Sequence, residues 1–245
     1  MHNVYYSGYG TFLADNLYSL LLIPVLLFSL WAQFHVSGSF RKYSGSRNRR
    51  GITGARAAQA VLQAHGVRDV AVRSVPGNLT DHYDPRDNTI YLSEGVYGAA
   101  TIAAVGVAAH EAGHAVQYAK QYFPMKVRAA IIPATNIGSR LAMPLILLGV
   151  LFGVGGSYSY TLVYAGIACF SLSLVFQLVT LPVEFNASRR AMQAIKVSSI
   201  LTVQEQKGAR KTLTAAAMTY VAAVAVAAAQ LLRLILLFGG RRRSD

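Results

Sequence analysis

His110-Glu111-Ala112-Gly113-His114 sets two imidazoles four residues apart with a carboxylate between them. On an α-helix, at about 100° and about 1.5 Å per residue, the two rings lie roughly one turn apart on one face, as two nitrogen ligands of a tetrahedral zinc ion require. Glu111 then falls near the metal's open position, where a carboxylate can take a proton from an attacking water and pass it to a departing amine. The spacing is HExxH, that of zinc-dependent peptide hydrolysis. With six His and ten Asp plus Glu in 245 residues, chance can also produce such a string, so the flanks have to decide. Residues 99–109 and 115–120 are rich in alanine and valine and free of proline, which puts the motif in the middle of a helix. The small neighbours Gly106, Ala109 and Gly113 let a second element approach the histidines closely.

A catalytic zinc usually takes three protein ligands and a water, so a third group must come from elsewhere. His82, Asp81, Asp84, Asp87 and Glu94 precede the motif, and Glu184 and Glu205 follow it. Glu184 stands apart because Pro182 ends or kinks the apolar run before it, and Glu184 then opens a helix through Ala191. On that helix Ala187, Ser188 and Ala191 share its face and are small enough to pack on Gly106, Ala109 and Gly113. The competing reading is an acid that complements the positive end of a helix macrodipole.

The elements that must position these groups belong to a membrane protein. Mean hydropathy is +0.37, with 53% hydrophobic and 13% charged residues, outside the range of soluble domains. Apolar runs at Leu17–Phe34, Leu141–Gly156, Leu162–Leu181 and Leu213–Phe238 predict four spans, the second of marginal length. The first is read as an anchor, since Asp15 and no Lys or Arg precede it. A net charge of +13 and a pI near 10.1 would indicate nucleic acid if the basic residues shared a face with aromatics. They flank the apolar runs instead, as Arg41, Lys42, Arg47, Arg49 and Arg50, then Arg189 to Lys211, then Arg241 to Arg243. This is the positive-inside pattern, and no nucleic-acid partner is expected. It places Gln33–Arg140 and Pro182–Lys211 in the cytoplasm, and the N-terminus and the Gly155-to-Tyr160 turn outside. Four simple spans would leave Arg241 to Arg243 outside, and Arg233 lies within the last run; either that run is shallow or re-entrant, or the arginines cross. Cys169 is the only cysteine, so neither an intrachain disulfide nor a cysteine zinc site is available.

The expected organisation follows. Residues 1–36 are an N-terminal segment and first span, 37–140 a cytoplasmic catalytic domain, and 141–181 a membrane hairpin. Residues 182–211 form a cytoplasmic helix with the third ligand, and 212–245 an apolar helix and basic tail. Ala57, Ala60, Val61 and Ala64 recur at helical spacing within Thr53–His65, and Gly66 stops that helix. Val70, Val72 and Val75 favour a strand, and after Pro76-Gly77-Asn78 come strands at Leu79–Tyr83 and Thr89–Ser93. The second leads through Glu94–Tyr97 into the motif helix. A strand edge there could pair with an extended peptide, or the sheet could simply pack on the helix. The fold class is mainly α and multi-pass, with about four transmembrane helices and a small α+β zincin-like catalytic domain.

Three ordered motifs, Leu79–Pro85, His110–Gln117 and Pro182–Ala191, give the chain a resemblance to the YugP-like family of neutral zinc metallopeptidases, bacterial multi-pass membrane proteins. The likeness runs from about Gly38 to Tyr220. It implies His110 and His114 as ligands of one Zn2+ per chain, Glu111 as catalytic acid and base, and Glu184 as third ligand. HtpX-type and prenyl-protein-processing membrane proteases, whose third ligand begins a Glu-x-x-Ala motif, are similar there. Asn186 stands where many relatives would carry Asp. His82 and Tyr83 either steady the oxyanion or shape their turn, and Ser188 is a further candidate beside the metal. The implied activity is a zinc-dependent metalloendopeptidase of the bacterial cytoplasmic membrane, its site facing the cytoplasm. Its partners would be membrane-associated or unfolded polypeptides and the lipid bilayer, with oligomerisation left open. The alternative is a membrane scaffold or partner-binding protein that retains a zinc site.

Overall fold

The computed structural model describes residues 17–152 and 157–239. Asp15, Gly155 and Gly156 of the expected outer turn, and Arg241 to Arg243 lie outside these residues. Along the chain run α1 (Leu22–Ser44), α2 (Gly54–Ala64), β1 (Ala71–Val75), β2 (His82–Asp84), β3 (Thr89–Ser93) and α3 (Glu94–Tyr97). They are followed by α4 (Ile102–Ala119), α5 (Phe123–Leu151), α6 (Ser157–Val197) and α7 (Val203–Gly239). The protein is a mainly α membrane protein with a small α+β part, and α1, α5, α6 and α7 lie in segments long and apolar enough to cross a bilayer.

The long helices outrun the apolar runs that signal them. α5 begins at Phe123 rather than near Leu141, with Pro133 and Pro144 inside it, because Lys126, Arg128 and Arg140 break the apolar pattern without breaking the backbone ladder. α6 continues through Pro182 to Val197, so Pro182 does not end a helix and Glu184 does not start one. A proline forfeits one ladder bond at about 3 kcal/mol, whereas opening the helix in apolar surroundings exposes several groups at several kcal/mol each. The reading of Glu184 as a helix N-terminal acid falls with this. α7 is one continuous helix, and within it Arg233 donates from Nε to Ser19 Oγ at 3.3 Å.

The chain divides into two compact units. One draws on described residues 17–31, 128–152, 157–179 and 221–239. Here α5 and α6 meet at glycines: a Cβ on Gly166 would stand 2.8 Å from the Ala142 carbonyl oxygen, and one on Gly149 2.9 Å from that of Ser159. Small residues let backbones touch where no water drives the helices together. Ile146, Val163, Ile167 and Leu234 form the core of this unit, while Leu26, Leu27, Leu147, Leu148 and Leu178 point outward.

The other unit comprises Ala32–Val127 and Thr180–Tyr220. Its sheet has the order β1-β3-β2, with β3 parallel to β1 (Val72 opposite Ile90) and antiparallel to β2 (Tyr83 opposite Ile90). Ile90 and Leu92 of the central strand are fully buried in one core with Val61 of α2, Val105 and Val116 of α4 and Ile195 of α6. Each such side chain contributes about 1.5–3 kcal/mol of burial. β2 begins at His82 rather than Leu79, because Gly77 and Leu79 take left-handed backbone angles (φ 104° and 58°) that no strand can continue. Thr53 and Thr101 cap α2 and α4, accepting from the amides of Arg56 (3.3 Å) and Ala104 (3.2 Å).

Candidate active site

The site lies wholly within the second unit, where α4 meets the segment of α6 after Thr180. Gly113 is the point of contact. A Cβ there would come within 2.5 Å of the Ala187 carbonyl oxygen, so no side chain fits, and the motif rests against the turn that follows Glu184. Gly106, about two turns away on α4, does not face α6; its neighbour is Ala209 of α7, at 3.7 Å. The two glycines thus admit two different helices.

His110, His114 and Glu184 converge. Glu184 Oε2 lies 3.2 Å from His110 Nε2 and 3.5 Å from His114 Nε2, and one ligand atom from each of the three falls within 4.8 Å of the others. His114 and Glu184 are buried and His110 is half-buried. The imidazoles stand edge to face, with centroids 4.7 Å apart. Two imidazole nitrogens and one carboxylate are the donor set of a catalytic zinc with one position left open, so these residues fit that ion.

The opposite ring nitrogens are held. His110 Nδ1 lies 3.1 Å from Ser188 Oγ, and His114 Nδ1 lies 3.0 Å from Gln117 Oε1. Gln117 Nε2 already donates to the Val183 carbonyl (2.7 Å) and to Asn186 Oδ1 (3.0 Å), which turns its oxygen toward His114. That oxygen can only accept, so His114 donates to it from Nδ1, which leaves Nε2 as the ring nitrogen turned toward Glu184 and available to a metal. Arg190 Nε donates to the same Asn186 Oδ1 at 2.8 Å, giving this oxygen two donors. An asparagine at 186 therefore performs the accepting role that an aspartate would. The Asn186 position is singled out by the sequence only for lacking the charge of an aspartate; the parts played by Gln117 and Arg190 come from the structure, although Gln117, three residues past His114, is placed on its face by helical spacing alone.

Glu111 lines a cavity of about 350 Å³ together with His110, Glu184 and Ser188. Burial pushes its carboxyl above the ordinary glutamate value, against the pull of the two imidazoles.

The other candidates are engaged elsewhere. Asp81 accepts from the Ser93 amide and hydroxyl at 2.8 and 3.1 Å, closing the end of the hairpin. Asp84 binds Arg86 at 2.6 Å, which holds its carboxyl down at about 2. Asp87 accepts from the Tyr91 hydroxyl, and Glu94 is exposed in the first turn of α3. Glu205 accepts from the amide of Thr202 (2.8 Å), whose hydroxyl receives the Glu205 amide (3.4 Å), forming a capping box at the start of α7. It also accepts from the Arg49 amide at 2.7 Å. His82 bonds the Thr80 carbonyl at 2.7 Å and stacks on Tyr91. Tyr83 donates to Asn88 Oδ1 at 2.8 Å, and burial raises its hydroxyl to about 12. Among the described residues, His82 and these acids stand outside the three-ligand cluster.

Residues 18–239 match a protein family described as "Putative neutral zinc metallopeptidase". The chain is also 45% identical over 222 residues to the "Putative membrane protease YugP" of Bacillus subtilis strain 168, an alignment covering 91% of this chain and 96% of that protein. No solved structure matches it.

Proposed function

The chain belongs to the YugP-like family of zinc metallopeptidases, and from that membership we propose that it is a zinc-dependent membrane endopeptidase acting on membrane-associated or unfolded polypeptides. The observation that carries this reading is the convergence of one ligand atom each from His110, His114 and Glu184 within 4.8 Å, beside a carboxylate that faces a cavity. In it, His110, His114 and Glu184 hold one zinc ion, which when bound supplies a Lewis acid for the scissile carbonyl and for water. Glu111 takes the proton of the attacking water and gives it to the departing amine nitrogen. Ser188 and Gln117 fix the orientation of the two imidazoles. His82 and Tyr83 shape the β2–β3 hairpin, as their bonds to Thr80 and Asn88 favour. A scaffold that merely retained zinc would have no use for Glu111 facing the cavity.

The test is metal removal. Full-length protein purified in detergent should carry about one zinc per chain and cleave an unstructured polypeptide. Chelation should abolish the cleavage, and added zinc should restore it. Cleavage that persists with the metal fully stripped would end the zinc-peptidase reading.

The active site faces the cytoplasm of the bacterial cytoplasmic membrane in this proposal. Support comes from the basic residues Arg41 to Arg50 after α1 and Arg189 to Lys211 across the end of α6 and the start of α7. In a Cys169→Ser background, single cysteines at exposed Arg49 and Arg50 should resist an impermeant thiol reagent in intact cells and react after lysis. Labelling in intact cells would reverse the orientation.

A further inference from the structure

The cavity that Glu111 faces carries its charged and metal-ligating groups at the end where the candidate ligands lie, and Ser37, Thr212 and Tyr220 add hydroxyl-bearing side chains to an otherwise apolar lining. Away from them its walls are Val36 and Phe40 of α1, Val107 of α4, and Leu213, Ala216 and Ala217 of α7. Every one of these residues belongs to the unit that holds the site. Leu79 lies at its rim, 72% exposed and held there by its left-handed backbone rather than drawn into the core. Among the described residues, no acid, histidine, lysine or arginine other than His110, Glu111 and Glu184 lines the space, and Thr212 donates its hydroxyl to the Gly208 carbonyl.

We propose that this cavity is the specificity pocket of the enzyme, which takes one large aliphatic or aromatic side chain from the residue flanking the scissile bond. The inference rests on the peptidase reading above and names its substrate class: polypeptide segments bearing bulky apolar residues. A volume of about 350 Å³ sits at the small end of the roughly 300–1,000 Å³ typical of ligand sites, room for a side chain and not for a folded element. A charged side chain seated against the apolar part of the wall would shed its hydration there without an ion-pair partner beside it. The wall is continuous with His110, Glu111 and Ser188, so a side chain seated there brings its own backbone to the catalytic groups. Ala216 of α7 and Phe40 of α1 both line the space, so a change in the size of either side chain changes the room available.

The test uses unstructured peptides, identical but for one guest residue: Ala, Leu, Phe, Lys or Asp. Zinc-loaded full-length wild type should cut beside Leu and Phe at least about 10-fold faster, in kcat/KM, than beside Ala, since one methylene in an apolar pocket is worth about 10–200-fold. Lys and Asp guests should be cut slowest. Ala216→Phe should lower the ratio of cleavage beside Leu or Phe to cleavage beside Ala by about 10-fold or more. Phe40→Ala should shift preference the other way, toward Phe over Leu, and it carries the test alone if Ala216→Phe does not fold. Equal cleavage of all guests by wild type, or an unchanged guest ranking in the folded variants, would overturn the pocket assignment and leave the peptidase reading standing. No cleavage of any peptide by zinc-loaded wild type would overturn both.

Discussion

Glu111→Gln should abolish most cleavage and leave the metal in place. The side chain keeps its shape and loses its ability to accept a proton, and general acid–base catalysis is worth about 10²–10⁴-fold, so kcat should fall by that factor. Bound zinc should stay near one per chain, because the candidate ligand atoms belong to His110, His114 and Glu184. Folding should not suffer. An amide replaces a carboxylate that burial already disfavours in its charged form, so the change removes a desolvation cost rather than adding one. Single-turnover cleavage, elemental analysis and a thermal melt on the same preparation check all three. Equal cleavage by variant and wild type would remove Glu111 from the mechanism, and loss of zinc with intact folding would make Glu111 part of the metal's support instead.

Glu184→Ala should empty the site. Removing an outer partner of a metal ligand typically costs about 10- to 100-fold in affinity, so removing a ligand atom should cost more than about 100-fold. Competition with a chromophoric chelator measures this, and cleavage should fall in proportion to occupancy. Glu184→Gln separates charge from space: it fills the same volume and should also lose zinc. His82→Ala is the control and should retain it, since His82 lies outside the cluster. Unchanged zinc in Glu184→Ala would move the third ligand to another residue, with His82 and Asp84 the first to examine.

Much of this site is local, and what is local can be read from the chain. Two histidines four apart on an alanine-rich helix share a face by the geometry of any helix, and α4 carries them as that spacing requires. The β1, β3 and α2 segments were legible for the same reason, each announcing itself through periodicity and turn residues within a few positions. The Thr202–Glu205 capping box is equally local, so its four-residue signature could have excluded Glu205 as a ligand without any structure.

The rest depended on packing between residues far apart in the chain. Glu184 could be singled out by its surroundings, yet its presentation from the middle of α6 could not, because a proline reads as a stop unless the continuing helix has something to hold it. Likewise nothing near Gly106 says that it meets Ala209 while Gly113 meets Ala187. The bonds among Gln117, Val183, Asn186 and Arg190 arise only once α4 and α6 touch. By itself, then, the sequence determined the membrane character, the strand unit and the chemistry offered by one helix face, all consequences of short-range periodicity. The tertiary structure alone decided which distant groups meet that face, which carboxylates are spent on caps and turns, and what walls the cavity, because those outcomes follow from close approach of separate helices.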